Sequence, residues 1–144
     1  MKVLVDTNII LDILFHRAPF YDDSRIVYTL VEQGRITGYI SSSAMTDIFY
    51  LARKELKDTD AVYKIMDTLA ADFIIAPVLE SAIKSALALR WKDFEDAVHY
   101  TAARENGIEH IIIRNATDVQ DVYDIWAGIK GLCEAKTARP NVPQ

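Results

Sequence analysis

The chain has 144 residues, of which 51% are hydrophobic and 26% charged, which fits one domain with a full core. A net charge of −5 and a pI near 5.1 exclude a surface that grips phosphates by bulk positive charge, so contact with nucleic acid would require metal ions or a local basic patch. The single Cys133 excludes an internal disulfide, no apolar run reaches membrane-spanning length, and the first residues read as a strand rather than a signal peptide, so a cytoplasmic protein is expected, with no membrane partner.

Val3, Leu4 and Val5 form a short apolar run, mostly β-branched, that suits a strand buried on both faces. Asp6, Thr7 and Asn8 then stop it with side chains that cap helices, and Ile9, Ile10, Ile13 and Leu14 follow at helical spacing. A carboxylate therefore stands at the C-terminal end of a strand, the edge where open α/β sheets bind ligands. On this stretch alone, Asp6 serves equally well as a cap or as a site residue. His16 reads as a loop histidine near Pro19. A second helix opens at Asp22, Asp23 and Ser24, buries Ile26, Val27, Leu30 and Val31, and ends at Gly34.

Residues 36–40 read as the second strand, and Ser41, Ser42 and Ser43 stop it and cap a third helix that runs to about Leu56. Met45, Ile48, Phe49 and Ala52 share one face of that helix. Asp47 lies off this stripe, in the first turn, where the helix dipole favours a carboxylate and from which it can point into the same edge as Asp6. Arg53, Lys54 and Lys57 form a basic cluster at the far end, either solvated or in reach of phosphates. Asp58 and Asp60 open a fourth helix with the stripe Val62, Ile65, Met66 and Leu69; residues 73–76 are the third strand, stopped by Pro77; a fifth, alanine-rich helix spans 81–89. Trp91 reads as a core or rim aromatic rather than a base-stacking platform.

Asp93 caps a sixth helix, with Asp96 three residues on, where a capping box would place its acid. Asp93 and Glu95 can be solvated, whereas Asp96 adjoins Phe94, Ala97 and Val98. Like charges packed together raise one another's pKa, so a cluster near a buried edge implies a compensating cation. Removing such charges is expected to raise the stability of the metal-free protein. His99 reads as a surface or partly buried histidine. Gly107 ends the helix, residues 110–113 are the fourth strand, and Arg114, Asn115, Ala116, Thr117 and Asp118 close it with amide and carboxylate groups, as the first strand was closed. Asx turns explain such residues singly; their recurrence after two strands favours a site. Beyond them, Val119, Val122, Ile125, Trp126, Ile129 and Leu132 fall near helical spacing, weakened by Gly128 and Gly131 and ended by Pro140 and Pro143.

The expected fold is α/β: three layers, α/β/α, around a central, mostly parallel sheet of Rossmann type, as one domain over 1–144 in which 118–144 form an atypical helical tail. Right-handed crossovers would bring Asp6, Asp47, Asp96 and Asp118 to one edge. Carboxylates gathered without a Cys or His cluster suit hard cations, Mg²⁺ or Mn²⁺, which activate water and stabilise the leaving oxygen of a phosphodiester.

These residues resemble the PIN domain family. Val5-Asp6-Thr7-Asn8 looks like its first acidic motif, Asp93-Phe94-Glu95-Asp96-Ala97 like its third, and Ile113-Arg114-Asn115 through Asp118 like its fourth, so that the resemblance covers about residues 1–118. The second acid, usually Glu, is matched by Asp47, one methylene shorter, and the family's fifth strand has no counterpart after Asp118. The resemblance implies a Mg²⁺- or Mn²⁺-dependent ribonuclease acting on single-stranded RNA. Its usual role is that of the toxin of a type II toxin–antitoxin pair, similar to VapC, a homodimer blocked by a small antitoxin protein in its acidic pocket. Asp6 and Asp96 would hold the metal, and Asp47 and Asp118 would complete the catalytic set. Asn8, Asp93 and Asn115 would support it. A housekeeping RNA-processing nuclease shares the same chemistry, and a catalytically weak PIN-fold interaction module would share only the fold.

Overall fold

The computed structural model describes residues 1–113, in which strands and helices follow the order β1 (Lys2–Val5), α1 (Thr7–Leu14), α2 (Tyr21–Glu32), β2 (Thr37–Ser41), α3 (Ser42–Leu56), α4 (Thr59–Asp72), β3 (Ile74–Ala76), α5 (Glu80–Leu89), α6 (Phe94–Glu105) and β4 (His110–Ile112). All strand pairs are parallel, in the order β3-β2-β1-β4. The three-layer α/β/α expectation holds. The expected helical tail lies outside the described residues. No described helix is long and apolar enough to cross a membrane.

Strand β1 is central: Leu4 pairs with Tyr39 of β2 on one side and Ile111 of β4 on the other. Because successive side chains of a strand point to opposite faces, Val3 and Val5 enter one core and Leu4 the other, and all of them are fully buried. Val3 and Val5 pack with Ile10 and Leu11 of α1, Val27 and Leu30 of α2, Ile48 of α3 and Leu69 of α4. Leu4 packs with Ala103 of α6 and Ile111. Helices α1 to α4 thus cover one face of the sheet and α6 the other, with α5 against α6 through Ala86, Ala97 and Val98. Trp91 sits on this last cluster with its ring 5.2 Å from that of Tyr100, a rim aromatic as its sequence context suggested.

The strand order carries the functional consequence. The chain moves outward from β1 to β2 to β3, then returns to lay β4 on the other flank of β1. Neighbouring connections leave β1 and β4 in opposite directions, which opens a crevice beyond their C-terminal ends. The residue at its mouth is Asp6, whose backbone N–H donates to the Ile112 carbonyl at 2.9 Å.

Gly38 of β2 marks where the α-helical layer lies closest to the sheet. A Cβ there would stand 2.7 Å from both Phe73 Cδ1 and Val31 Cγ2, and both of those side chains are buried. Neither can swing into solvent, so Gly38→Ala is expected to cost about 1–3 kcal/mol by overpacking. Urea denaturation would show this as a lower midpoint with an unchanged slope.

Candidate metal centre

Asp6 caps α1 from the C-terminal end of β1. Its backbone is extended, with φ −66° and ψ 150°, and its Oδ2 accepts a hydrogen bond from the Asn8 N–H at 3.4 Å. Asn8 thereby contributes through its main chain. The other carboxylate oxygen, Oδ1, lies 3.3 Å from His99 Nε2. Capping α1 fixes the carboxylate at the end of β1 and leaves this oxygen facing α6.

Helix α6 brings the remaining groups. Asp93 caps it, its Oδ1 accepting from the Asp96 N–H at 3.1 Å. Glu95 and His99 are one turn apart, so they share a face, and Glu95 Oε1 lies 3.4 Å from His99 Nε2. Among the described residues, Asp6, Glu95 and His99 form a group whose donor atoms all lie within 4.8 Å of one another, close enough for one cation. Asp96, next along the helix, is buried and close enough to Asp6 and Asp93 for their charges to act on it.

His99 departs from expectation. It is 1% exposed, not a surface or half-buried histidine. Its Nδ1 lies 3.5 Å from the hydroxyl of Ser41, the N-cap of α3 at the end of β2. Its Nε2 is within ion-pair distance of two carboxylates yet aligned with neither for a hydrogen bond. The buried Thr7 hydroxyl, beside Glu95, is likewise without a hydrogen bond of acceptable geometry.

The electrostatics follow. Burial pushes the Asp96 carboxyl up to about 7, helped by the negative charges of Asp93, Asp6 and Glu95 and opposed by His99. Burial alone would lower the His99 imidazole, but the Asp6 and Glu95 carboxylates outweigh it and raise it to about 9. The adjoining His99 ring holds Glu95 below its usual value against the opposing effect of burial. Asp12 of α1 shows what a purely structural buried acid looks like here: its carboxylate has Arg17 at 3.9 Å and the Ser24 hydroxyl at 3.3 Å.

Asp47 requires a correction of place. Helix α3 starts at Ser42, directly after its Ser41 cap, so Asp47 lies in the second turn and is exposed. Partial desolvation and then the Glu95 charge raise its carboxyl above the ordinary range, while His99 lowers it, so it borders the same cluster. The fold brings Asp6, Asp96, Asp93 and Asp47 to one edge. Asn115 and Asp118 lie outside the described residues. Glu95 and His99 were not among the expected site residues; their spacing of four puts them on one face of α6, but the mixed pattern of that helix does not say which face turns inward.

The chain matches the family profile described as PIN domain over residues 2–117. No curated protein sequence matches it. It is similar in fold to VapC20 of Mycobacterium tuberculosis, described as a sarcin–ricin loop cleaving toxin: the TM-score is 0.63 at 15% identity, with 81% of this chain and 92% of that one covered. A toxin–antitoxin complex from Klebsiella pneumoniae gives a TM-score of 0.61 at 19% identity, covering 84% and 92%. VapBC2 from Rickettsia felis, bound to a fragment of its promoter DNA, gives 0.60 at 16%, covering 82% and 90%. With its profile match running from β1 through β4, the chain belongs to the PIN domain family.

Proposed function

We propose that the chain is a divalent-metal-dependent endoribonuclease that serves as the toxin of a type II toxin–antitoxin pair. The observation that carries the reading is the meeting of Asp6, from the end of β1, with Asp96 and Glu95, from the start of α6, at the crevice where the strand order reverses. The donor set fits a cation: clustered carboxylates, one of them pushed up to about 7 by burial and then by its acidic neighbours, beside a buried nitrogen without a well-aligned hydrogen bond. Asp6 and Asp96 would hold the ion, with Asp118 completing the set. A cation bound there supplies Lewis-acid activation of water and neutralises charge on the scissile phosphate.

The chain's own residues have distinct tasks. Asp6 is fixed by its cap and by the main-chain bond to β4, so its carboxylate needs no reorganisation. Asp93, by capping α6, aims the first turn of that helix at Asp6. Asp47 stands at the exposed rim with its carboxyl raised, where it would orient water at the edge of the cluster. The negative net charge is consistent with RNA binding if the cation supplies the local positive potential.

The toxin role draws support from the similar structures, one a toxin–antitoxin complex and another VapBC2. An antitoxin protein, a homodimeric state and a cytoplasmic location belong to the same proposal. Calorimetric titration with Mn²⁺ tests the metal; co-expression with the product of a short neighbouring reading frame tests the partner. Saturable Mn²⁺ binding with Mn²⁺-dependent cleavage of single-stranded RNA is expected. A protein that binds neither Mn²⁺ nor Mg²⁺ would instead be an interaction module on a nuclease fold. Asp47→Asn is expected to slow cleavage by about tenfold, the loss typical of a group that acts through water, with Mn²⁺ affinity nearly unchanged in the same titration.

A further inference from the structure

We propose that His99 is itself a metal ligand, its Nε2 joining Asp6 and Glu95 around a first-row transition cation, so that the centre favours Mn²⁺ and the later ions over Mg²⁺. The inference rests on the metal-dependent reading above and adds a nitrogen donor to it.

The first argument is the placement of the nitrogen. His99 is almost wholly buried, and its Nε2 is directed between two carboxylates, ion-paired with both but in line with neither for a hydrogen bond. A cation that takes this nitrogen and both oxygens as ligands would satisfy all three groups at once. The second is distance. With metal–ligand bonds of about 2.1 Å, adjacent ligand atoms stand about 3.0 Å apart on an octahedron and about 3.4 Å apart on a tetrahedron. The Nε2 atom lies 3.3 Å from Asp6 Oδ1 and 3.4 Å from Glu95 Oε1, both within that interval. The third is the other ring nitrogen. Ligating histidines are oriented by a hydrogen bond from the nitrogen that does not bind metal. Ser41 Oγ is 3.5 Å from Nδ1 and already accepts from the Ala44 N–H at 3.1 Å, while Ser43 Oγ lies 3.2 Å away to receive the Ser41 proton. The second lone pair of Ser41 is therefore available to an Nδ1–H, so that a cation displacing the Nε2 proton would meet a nitrogen lone pair already oriented between the carboxylates.

The chemical consequence concerns selectivity. Mg²⁺ takes oxygen ligands and gives up water reluctantly. Imidazole suits the first-row transition ions, whose affinity for such sites rises along the series. Two carboxylates with one imidazole therefore discriminate against Mg²⁺ where an all-carboxylate site would not.

The test uses the full chain, stripped with chelator and loaded with Mn²⁺ alone, examined by pulsed EPR for nitrogen hyperfine coupling. The chain has 3 histidines, His16, His99 and His110. Coupling of one directly coordinated imidazole is expected in the wild type and in the double variant His16→Gln/His110→Gln. It is expected to vanish in His99→Gln, with the Mn²⁺ Kd raised about tenfold or more and the Mg²⁺ Kd moved by less than about threefold. Bound Mn²⁺ without nitrogen coupling, or coupling that disappears in the double variant, overturns the assignment of His99 and leaves the nuclease reading standing. Failure of the wild type to bind Mn²⁺ at all overturns the nuclease reading itself. Should His99→Gln not fold, the wild type and the double variant decide between these outcomes.

Discussion

Asp6→Asn and Asp96→Asn are each expected to lower Mn²⁺-dependent cleavage of single-stranded RNA by on the order of 10²–10³-fold or more, the loss seen when a preorganised electrostatic group is removed from a reacting centre. The two variants should nonetheless part company in stability when no metal is present. Asp96 is a buried carboxyl pressed by Asp93, Asp6 and Glu95, so its neutral amide relieves repulsion and should raise the melting temperature. Asp6 is a counter-ion of His99, at 3.3 Å with both side chains buried. Its amide leaves the imidazolium with Glu95 alone and should cost about 1–3 kcal/mol. The general expectation that fewer acids at this edge means a more stable metal-free protein thus holds for Asp96 and reverses for Asp6. Single-turnover cleavage and thermal melts in chelator check both halves. A variant at either position that cuts at the wild-type rate would remove the residue from the centre.

The second large effect is on pH. In chelator, the melting temperature is expected to fall steadily as pH rises from about 5 to about 9, the span over which these two groups titrate differently in the folded and unfolded chain. His99 has its folded pKa raised to about 9 from 6.5, so the stability it contributes is complete below the unfolded value and is lost as pH climbs through the folded one. Asp96 is raised from 3.8 to about 7; the folded protein holds that proton more tightly, and ionising it on the way to neutrality is a cost that the unfolded chain does not bear. Both groups bind more protons when folded, so their slopes add, to a total on the order of a few kcal/mol. The lowered Glu95 works in the opposite direction only at more acid pH, around and below its ordinary range. Saturating Mn²⁺ should restore most of the loss at high pH, because binding favours deprotonated ligands. A melting temperature that is flat or rises between pH 5 and 9 in chelator would show that the imidazole and Asp96 are not buried together among acids.

The sequence carried much of the architecture because most elements announced their own start and stop; α2 did not, since it begins at Tyr21 after Phe20 with no side-chain cap, and Asp22, Asp23 and Ser24, the expected openers, lie inside it. Apolar runs with β-branched residues marked strands buried on both faces, and Asp6, Ser41, Asp58 and Asp93 each cap the helix they were expected to open. Gly34 and Gly107, at φ 65° and 63°, turn the chain where the helical pattern ceased. What the pattern could not carry was the depth at which a polar residue on a mixed face comes to rest. Helix α6 has charged and apolar residues interleaved, so its periodicity does not say whether Glu95 and His99 or Asp93 face the sheet. Only the packing of Ala97, Ala102 and Ala103, small enough to let α6 lie close, decides that His99 is drawn in. Asp47 was placed one turn too early because a run of three serines offers three possible caps, and Ser41 takes the role.

Strand β1 lies between a neighbour formed early and one that does not begin until His110. While the protein is being synthesised, the central strand therefore keeps one hydrogen-bonding edge open, and Asp6 waits without the helix that supplies its companions. A translation product stopped before α6 carries Asp6 and Asp47 but not Glu95, Asp96 or His99. On the proposed reading, cleavage is thereby tied to synthesis of α6, and a fragment released before it would be expected to be inert toward RNA.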